Sequence, residues 1–170
     1  REHFFGPDPR LRKMVEHLSD EDLRDIDKVI IIACGTSFYA GMVAKYAIEH
    51  WTRLPVEIEI ASEFRYRDPV LGPDTLTLAV SQSGETIDTI SALQHAQAQG
   101  LADSLTICNV PESALIRQSK LRFLTRAGPE IGVASTKAFT TQLACLYLLT
   151  LLLAKMHGRL SPEAEQQHLK

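Results

Sequence analysis

The sequence predicts an α/β fold, a three-layer α/β/α sandwich built on a five-stranded parallel sheet. Short segments rich in Val, Ile, Leu and Thr alternate along the chain with segments of helical periodicity. That alternation is typical of a parallel sheet with helices on both faces. The length of 170 residues suits one domain with a substantial core. In addition, two hydroxyl-rich runs follow predicted strands, where an open parallel sheet places its ligand crevice.

The elements can be assigned in chain order. A first helix is expected after Asp8-Pro9, which supplies an N-cap and a proline at the first helical position, and a short second helix is expected at 20–25. Short segments rich in branched aliphatic residues predict strands at 28–33, 56–60, 75–80, 104–108 and 121–125. Helices are predicted at 37–52, 85–99, 112–118 and 134–156. Gly100 is expected to end the helix at 85–99, and Ser161 is expected to cap a last helix.

The composition is that of an ordinary globular protein, with 45% hydrophobic and 23% charged residues. A formal charge of −3, with scattered basic residues, argues against a nucleic-acid surface. Cys34, Cys108 and Cys145 form no CxxC or Cys/His cluster, so we expect a reduced, cytoplasmic protein with no metal and no other cofactor. The apolar run 143–154 is too short for a membrane span, and we expect a buried helix there and no membrane association.

The two hydroxyl-rich runs are Cys34-Gly35-Thr36-Ser37 and Ser81-Gln82-Ser83-Gly84-Glu85-Thr86. Neither run fits the dinucleotide pattern G-x-G-x-x-G, and the chain has no Gly-Lys pair for a nucleotide P-loop. Hydroxyl groups, backbone N–H groups and the positive ends of the following helices would together favour an anion such as a phosphate. The candidate phosphate donors are Ser37, Ser81, Ser83 and Thr86, with the amide of Gln82.

A purely structural interpretation of these residues stays open. Ser37 and Ser83 could be helix N-caps, and Thr86 could be a surface residue. We interpret Glu85 as a first-turn acidic residue that complements the helix dipole, and not as a catalytic acid. Cys34 is interpreted as a small buried residue at a strand end and not as a reactive thiol.

A third segment, Glu130–Lys137, also lies between a predicted strand and a predicted helix. Gly132 would let the backbone approach a ligand closely, Ser135 could bond a sugar hydroxyl, and Lys137 could be a charge partner. The simpler interpretation is that Ser135 caps the start of a buried helix.

Four motifs, in this order, resemble the glucosamine-6-phosphate synthase family, also called glutamine:fructose-6-phosphate aminotransferase (isomerizing). They are Cys34–Ser37, Ile60-Ala61-Ser62-Glu63-Phe64-Arg65-Tyr66, Ser81–Thr86 and Ile131-Gly132-Val133-Ala134-Ser135-Thr136-Lys137-Ala138-Phe139. The resemblance is to the first sugar isomerase (SIS) subdomain of the isomerase region. It implies a SIS fold at 28–157, preceded by an N-terminal helical segment or linker at 1–27. Residues 158–170 would then begin a helical linker to a missing second SIS domain, in agreement with a chain that opens on Arg1.

The resemblance also implies a function, the binding of fructose 6-phosphate or glucosamine 6-phosphate. The positions that match phosphate contacts of the family are Ser37, Ser81, Gln82, Ser83 and Thr86. Thr36 would lie beside the sugar, and Val133 and Ser135 match contacts to its hydroxyl end. The parent enzyme would transfer ammonia from glutamine to the ketose. Its glutaminase and the main isomerase catalytic groups would lie outside this chain, so we assign no catalytic residue and expect the fragment alone to be inactive.

A second hypothesis is a non-catalytic SIS sensor domain of a sugar-phosphate-responsive transcription regulator. The segments 60–66 and 133–139 favour the enzyme. The partners expected for the enzyme are the hexose phosphate, a second copy in a homodimer, and the glutaminase and second SIS domains of the full-length parent. No nucleic acid and no membrane are expected among them.

Overall fold

The computed structural model describes residues 23–67, 69–101, 103–130 and 136–169. The helix predicted after Asp8 and most of the one predicted at 20–25 lie outside the described residues. So do two of the candidate sugar contacts, Val133 and Ser135.

Five parallel strands form a single sheet. They are β1 (Lys28–Ala33), β2 (Val56–Ile60), β3 (Thr75–Ser81), β4 (Ser104–Cys108) and β5 (Leu121–Leu124). Their order across the sheet is β2-β1-β3-β4-β5, and each neighbouring pair is parallel. The predicted fold class is confirmed, and each strand begins and ends within one residue of its predicted position.

Six helices are described between and after these strands. They are α1 (Gly35–Thr52), α2 (Ala61–Phe64), α3 (Ile87–Ala98), α4 (Ala114–Gln118), α5 (Lys137–Met156) and α6 (Pro162–His168). The sequence did not predict α2, because four residues are too few to show a helical period. Gly100 follows the end of α3 with a φ of +93°, and the Ser161 hydroxyl accepts from Ala164 N at 3.2 Å. Both predicted helix boundaries are therefore confirmed.

The two faces of the sheet are covered by different helices, because side chains alternate along each strand. Residues such as Ile31, Leu78 and Ile107 pack in a core with α1 and α5. On the opposite face, Ile30 and Ile32 pack against α2, α3 and α4. The three layers predicted from the sequence are thus present.

Helix α5 is long and apolar enough to cross a membrane by length and composition, with a mean hydropathy of 1.5 and half of its span buried. It packs along α1 and against β4. Its buried residues recur at helical spacing, and among them are Ala138, Cys145, Leu146, Leu149 and Leu153. The helix therefore lies in one helical layer and contributes its apolar face to the core, as its sequence predicted.

Candidate functional site

The candidate site lies at the carboxyl edge of the sheet, between β1 and β3. The chain runs from β1 to the outer strand β2, whereas it runs from β3 in the other direction to β4 and β5. Such a reversal of strand order opens a crevice in parallel α/β sheets. Ala33 and Val80 are register partners on β1 and β3, so the runs 34–37 and 81–86 leave the sheet side by side. The two runs are therefore brought together as predicted.

The first run forms the start of α1. Gly35 has a φ of +58°, a conformation that favours glycine, and Thr36 is exposed. Ser37 is only 7% exposed, and its hydroxyl oxygen accepts a hydrogen bond from Gln142 Nε2 of α5 at 3.0 Å. The N-cap of α1 is Cys34, three residues earlier. The interpretation of Ser37 as a helix N-cap is therefore wrong.

The second run is a tight loop held by its own hydroxyl groups. The hydroxyl oxygen of Ser81 accepts from Gly84 N at 3.0 Å, and it lies 3.4 Å from Thr86 Oγ1. The hydroxyl oxygen of Ser83 accepts from Glu85 N at 3.1 Å. Thr86 is half-buried and occupies the N-cap position of α3, so Ser83 is not the cap of that helix. The N-cap interpretation is wrong for Ser83 as well.

The hydroxyl groups of three serines in these runs all accept a hydrogen bond from the chain. Ser37 accepts from an amide side chain, and Ser81 and Ser83 accept from backbone N–H groups. A serine hydroxyl has one hydrogen to donate and two lone pairs to accept with. When an N–H group of the chain occupies a lone pair, the hydroxyl hydrogen stays available to an acceptor from outside. The edge is thus equipped to donate to an anion.

Glu85 has a different role from the one predicted. Helix α3 begins at Ile87, two residues later than expected, so Glu85 is not in its first turn. Instead, Glu85 Oε1 accepts from Ala114 N at 2.9 Å, at the start of α4. A carboxylate at this end of a helix satisfies an N–H group that has no partner within the helix. Glu85 therefore connects the loop to α4.

The thiol of Cys108 lies beneath the second loop. It is 3.4 Å from the carbonyl oxygen of Gln82 and 3.5 Å from Ser113 Oγ, and burial raises its pKa. Asn109 N also donates to the Gln82 carbonyl, at 3.1 Å. Cys34, interpreted above as a buried residue, is only half-buried just after β1, with Thr89 Oγ1 4.0 Å from its sulfur. Within the described residues no group of three or more His, Cys, Asp or Glu could hold a metal.

The described part of the third segment forms hydrogen bonds with the start of α5. Glu130 Oε1 accepts from Thr136 N at 3.1 Å and from Ala138 N at 3.3 Å. Lys137, considered above as a charge partner, donates from Nζ to the carbonyl oxygen of Pro129 at 2.7 Å. Thr136 occupies the N-cap position of α5, and Ser135, the predicted cap, lies outside the described residues.

A groove of about 460 Å³ opens beside the second loop. It is lined by Gln82, Asn109, Val110, Pro111, Arg126, Gly128 and Pro129. The Asn109 side chain holds one wall, since its Oδ1 accepts from Ala127 N at 2.8 Å and its Nδ2 donates to Gly128 O at 2.8 Å. This groove lies on the β4 and β5 side of the second loop, and among the candidate phosphate donors it is lined by Gln82.

Sequence reasoning missed Gln142 as a residue of this site. Gln142 lies on the buried face of α5, more than 100 positions from the serine it contacts. One signal was present, a single amide within an apolar helical stripe. A pattern of this kind does not show which residue the amide meets, because only the packing of α5 on α1 brings the two together.

The fold and the two loops are those of a sugar isomerase domain, and the chain belongs to the SIS domain family, whose profile matches residues 22–152. The chain is 58% identical over 147 residues to the glutamine–fructose-6-phosphate aminotransferase (isomerizing) of Bordetella parapertussis, covering 86% of this chain and 24% of that protein. It is 55% identical over 167 residues to the enzyme of the same name from Mycobacterium tuberculosis, covering 98% of this chain and 26% of that protein. The chain thus spans about a quarter of the length of these relatives.

Solved structures show the same likeness. The C-terminal domain of glucosamine-fructose-6-phosphate aminotransferase from Francisella tularensis superposes with a TM-score of 0.86 at 47% identity, over 88% of this chain and 42% of that one. Glucosamine-6-phosphate deaminase from Thermotoga maritima gives a TM-score of 0.69 at 22% identity, over 93% of this chain and 48% of that one. The second likeness shows the fold alone. The resemblance identified from the four motifs is confirmed by the relatives and by the first structure.

Proposed function

We propose that this chain is the sugar-phosphate-binding first SIS subdomain of an enzyme that makes glucosamine 6-phosphate from fructose 6-phosphate and glutamine. The names of the relatives at 55–58% identity support that reaction. Since the chain spans a quarter of their length, the glutaminase and the second SIS domain would be supplied by the rest of a longer protein.

The observation that best supports the proposal is that the hydroxyl groups of Ser37, Ser81 and Ser83 all act as acceptors within the chain. Each hydroxyl accepts a hydrogen bond from its own chain at 3.0–3.1 Å. Ser37 and Ser83 thereby retain a hydrogen for an outside acceptor, and Ser81 does so when Thr86 Oγ1 is the donor of their 3.4 Å contact. A phosphate dianion offers acceptor oxygens only, so it matches three such donors. The positive ends of α1 and α3 at the same edge add a favourable field.

The remaining candidates complete the proposed site. Gln82 and Thr86 would add donors to the phosphate, and both are half-buried at the crevice. Thr36 is exposed at the start of α1 and would lie beside the sugar. Val133 and Ser135 are proposed to contact the hydroxyl end of the sugar on the basis of the family motif alone.

In this proposal the chain binds and orients the substrate without transforming it. Among the described groups near the two loops, the Glu85 carboxylate caps α4 and the Cys108 thiol is buried with a raised pKa. Neither is suited to move a proton on a bound sugar. The general acid, the general base and the ammonia source would come from outside this chain, and the chain alone would be inactive.

We also propose that the protein is a cytoplasmic homodimer that does not associate with membranes. Free thiols at Cys34, Cys108 and Cys145 suit a reducing compartment.

The apolar side of α5 is largely covered by this chain itself, so the argument for a dimer comes from α1. One face of α1 exposes large apolar side chains at helical spacing, each 40–71% accessible: Tyr39, Met42, Val43 and Tyr46. Light scattering of the protein and of Val43→Glu should show a dimer and a monomer, whereas a wild-type monomer at high concentration would contradict the dimer.

Calorimetric titration tests the proposed ligand. Fructose 6-phosphate and glucosamine 6-phosphate should bind, and fructose and glucosamine should not bind at the same millimolar concentrations. Inorganic phosphate should bind more weakly than the hexose phosphates, because it makes none of the sugar contacts. A folded protein that binds neither hexose phosphate at millimolar concentration would contradict the proposal.

A further inference from the structure

We infer that Gln142 is a positioning residue of the phosphate site, which fixes the Ser37 hydroxyl as a hydrogen-bond donor towards the ligand. The inference rests on the proposed function, because it assigns Gln142 a role in holding the same phosphate. It concerns a residue of α5, the helix that packs along α1, and this residue lies beyond the first turn that contacts Pro129 and Glu130.

The burial of Gln142 is not explained by packing. The residue is 1% exposed and lies on the same face of α5 as Ala138, Cys145, Leu146 and Leu149. A leucine would continue this apolar stripe. The amide oxygen of Gln142 also finds no hydrogen-bond partner among the described residues. A buried amide that is only half satisfied lowers stability, and such costs concentrate at functional sites.

The amide nitrogen makes one contact, with the Ser37 hydroxyl oxygen at 3.0 Å. An amide N–H can only donate, so this contact directs a lone pair of Ser37 towards α5. The hydroxyl hydrogen must then point away from α5. Ser37 lies in the first turn of α1, at the carboxyl edge of the sheet. The loop 81–86 begins at the same edge, at the end of β3. The hydroxyl hydrogen is therefore free to point towards the crevice.

Three threonines in other helical positions use their hydroxyl groups differently. Thr52, Thr140 and Thr150 donate to the carbonyl oxygen four residues earlier, at 2.6, 3.1 and 2.8 Å. This is the ordinary use of a hydroxyl within a helix. For Ser37 the described residues show the Gln142 contact and no such bond to a carbonyl. The Ser37 hydroxyl hydrogen is thus not used in a bond to a carbonyl oxygen of its own helix.

The test is a double-mutant cycle on Ser37 and Gln142, read by titration with glucosamine 6-phosphate. Gln142→Leu should weaken binding about 10-fold and raise the melting temperature, since it removes a half-satisfied amide. Ser37→Ala should weaken binding by at least as much. The double variant should bind no more weakly than Ser37→Ala alone, because Gln142 acts through Ser37.

A second variant, Gln142→Glu, reverses the polarity while keeping the shape. A carboxylate can only accept, so it would take the Ser37 hydrogen and add negative charge beside the phosphate. Binding relative to wild type should fall about 100-fold at pH 8.5. Because burial raises the pKa of a carboxyl group, the loss should shrink as the pH is lowered to 5.5 and the carboxyl becomes protonated. A purely structural role would give no such dependence on pH.

Gln97→Leu is the matched control. Gln97 also lies on a helix, where its Nε2 donates to Gln118 O at 2.8 Å and is 3.5 Å from Ser104 Oγ. Ser104 begins β4 at the opposite edge of the sheet. Its loss should leave the affinity unchanged.

Two outcomes would overturn the inference. One is wild-type affinity in Gln142→Leu, and the other is an equal loss when Gln142→Leu is added to Ser37→Ala. If Gln142→Glu fails to fold, the cycle with leucine and alanine decides alone. Absence of binding by the wild-type protein would instead contradict the proposed function, so the two failures are distinguishable.

Discussion

Gly84 and Ser113 approach so closely that a methyl group on Gly84 would lie 2.1 Å from the hydroxyl oxygen of Ser113. The same methyl group would lie 2.8 Å from the sulfur of Cys108. Gly84 also has a φ of +67°. The turn of the second loop is therefore fixed both by its backbone conformation and by contact with the start of α4.

This contact predicts that Gly84→Ala damages both folding and ligand binding. The variant should lower the free energy of unfolding by about 3 kcal/mol, from strain and overpacking together. Gly158→Ala is the control, because Gly158 has the same φ of +67° and nothing within 4 Å of the added methyl group. It should cost about 1 kcal/mol and leave affinity unchanged. Urea unfolding and calorimetric titration measure the two effects. Equal losses in stability for the two variants would show that the Ser113 contact is not limiting.

The hydroxyl of Ser83 is predicted to act on the ligand more than on the fold. Ser83→Ala should weaken the binding of fructose 6-phosphate about 10-fold, the effect of one hydrogen bond to a charged group. Ser161→Ala removes the cap of α6 and should lower stability by about 1 kcal/mol with unchanged affinity. Titration and thermal unfolding of both variants separate the effects. If Ser83→Ala behaved like Ser161→Ala, Ser83 would be a structural residue only.

Two buried threonines of the central strands should respond oppositely to the same substitution. Thr77 and Thr106 are both fully buried, but Thr77 Oγ1 has no partner among the described residues, whereas Thr106 Oγ1 bonds Ser119 Oγ. Thr77→Val should therefore be neutral or stabilising. Thr106→Val should cost about 1 kcal/mol, because it removes the hydrogen bond to Ser119 Oγ, whose own hydrogen is donated to Leu115 O at 2.9 Å. Chemical denaturation measures both. A loss from Thr77→Val as large as that from Thr106→Val would contradict this account.

The three thiols are predicted to differ in reactivity. Burial raises the pKa of Cys145 to about 12 and also raises the pKa of Cys108, so both stay protonated and unreactive near neutral pH. Cys34 is half-buried at the crevice and should react first with a thiol reagent at pH 8. Saturating glucosamine 6-phosphate should slow that reaction by covering Cys34. Mass spectrometry of labelled peptides identifies the residue, and preferential labelling of Cys108 or Cys145 in the folded protein would contradict the prediction.

Much of the fold could be predicted because it depends on local patterns. The run Val29–Ala33 is continuously apolar, and the run Thr75–Val80 is apolar except for two threonines, as suits strands buried on both faces. Boundaries that depend on one residue were also correct, through the side chain of Ser161 and through the positive φ of Gly100. The start of α3 was placed two residues early, because Glu85 suits a first turn in sequence but caps α4 in the structure.

The candidate site was predicted in part for a similar reason. The two loops could be placed at the same edge of the sheet, since all strands of a parallel sheet end at one edge. That β1 and β3 are neighbours became clear only from the structure. Whether each hydroxyl accepts or donates a hydrogen bond within the chain could not be predicted. It depends on donors such as Gly84 N and Gln142 Nε2, whose positions are set by the loop turn and by helix packing. These contacts join residues that no short motif relates.

The central claim is that a hexose phosphate binds between the runs 34–37 and 81–86. Its most direct test is a heteronuclear NMR titration of the isotope-labelled protein with fructose 6-phosphate. The account predicts that the largest shifts fall on backbone amides of these runs, Gly35 and Gly84 among them, and that Gly100 and Gly158 at distant helix ends do not move. Shifts that are absent at millimolar ligand, or that cluster away from both runs, would contradict it.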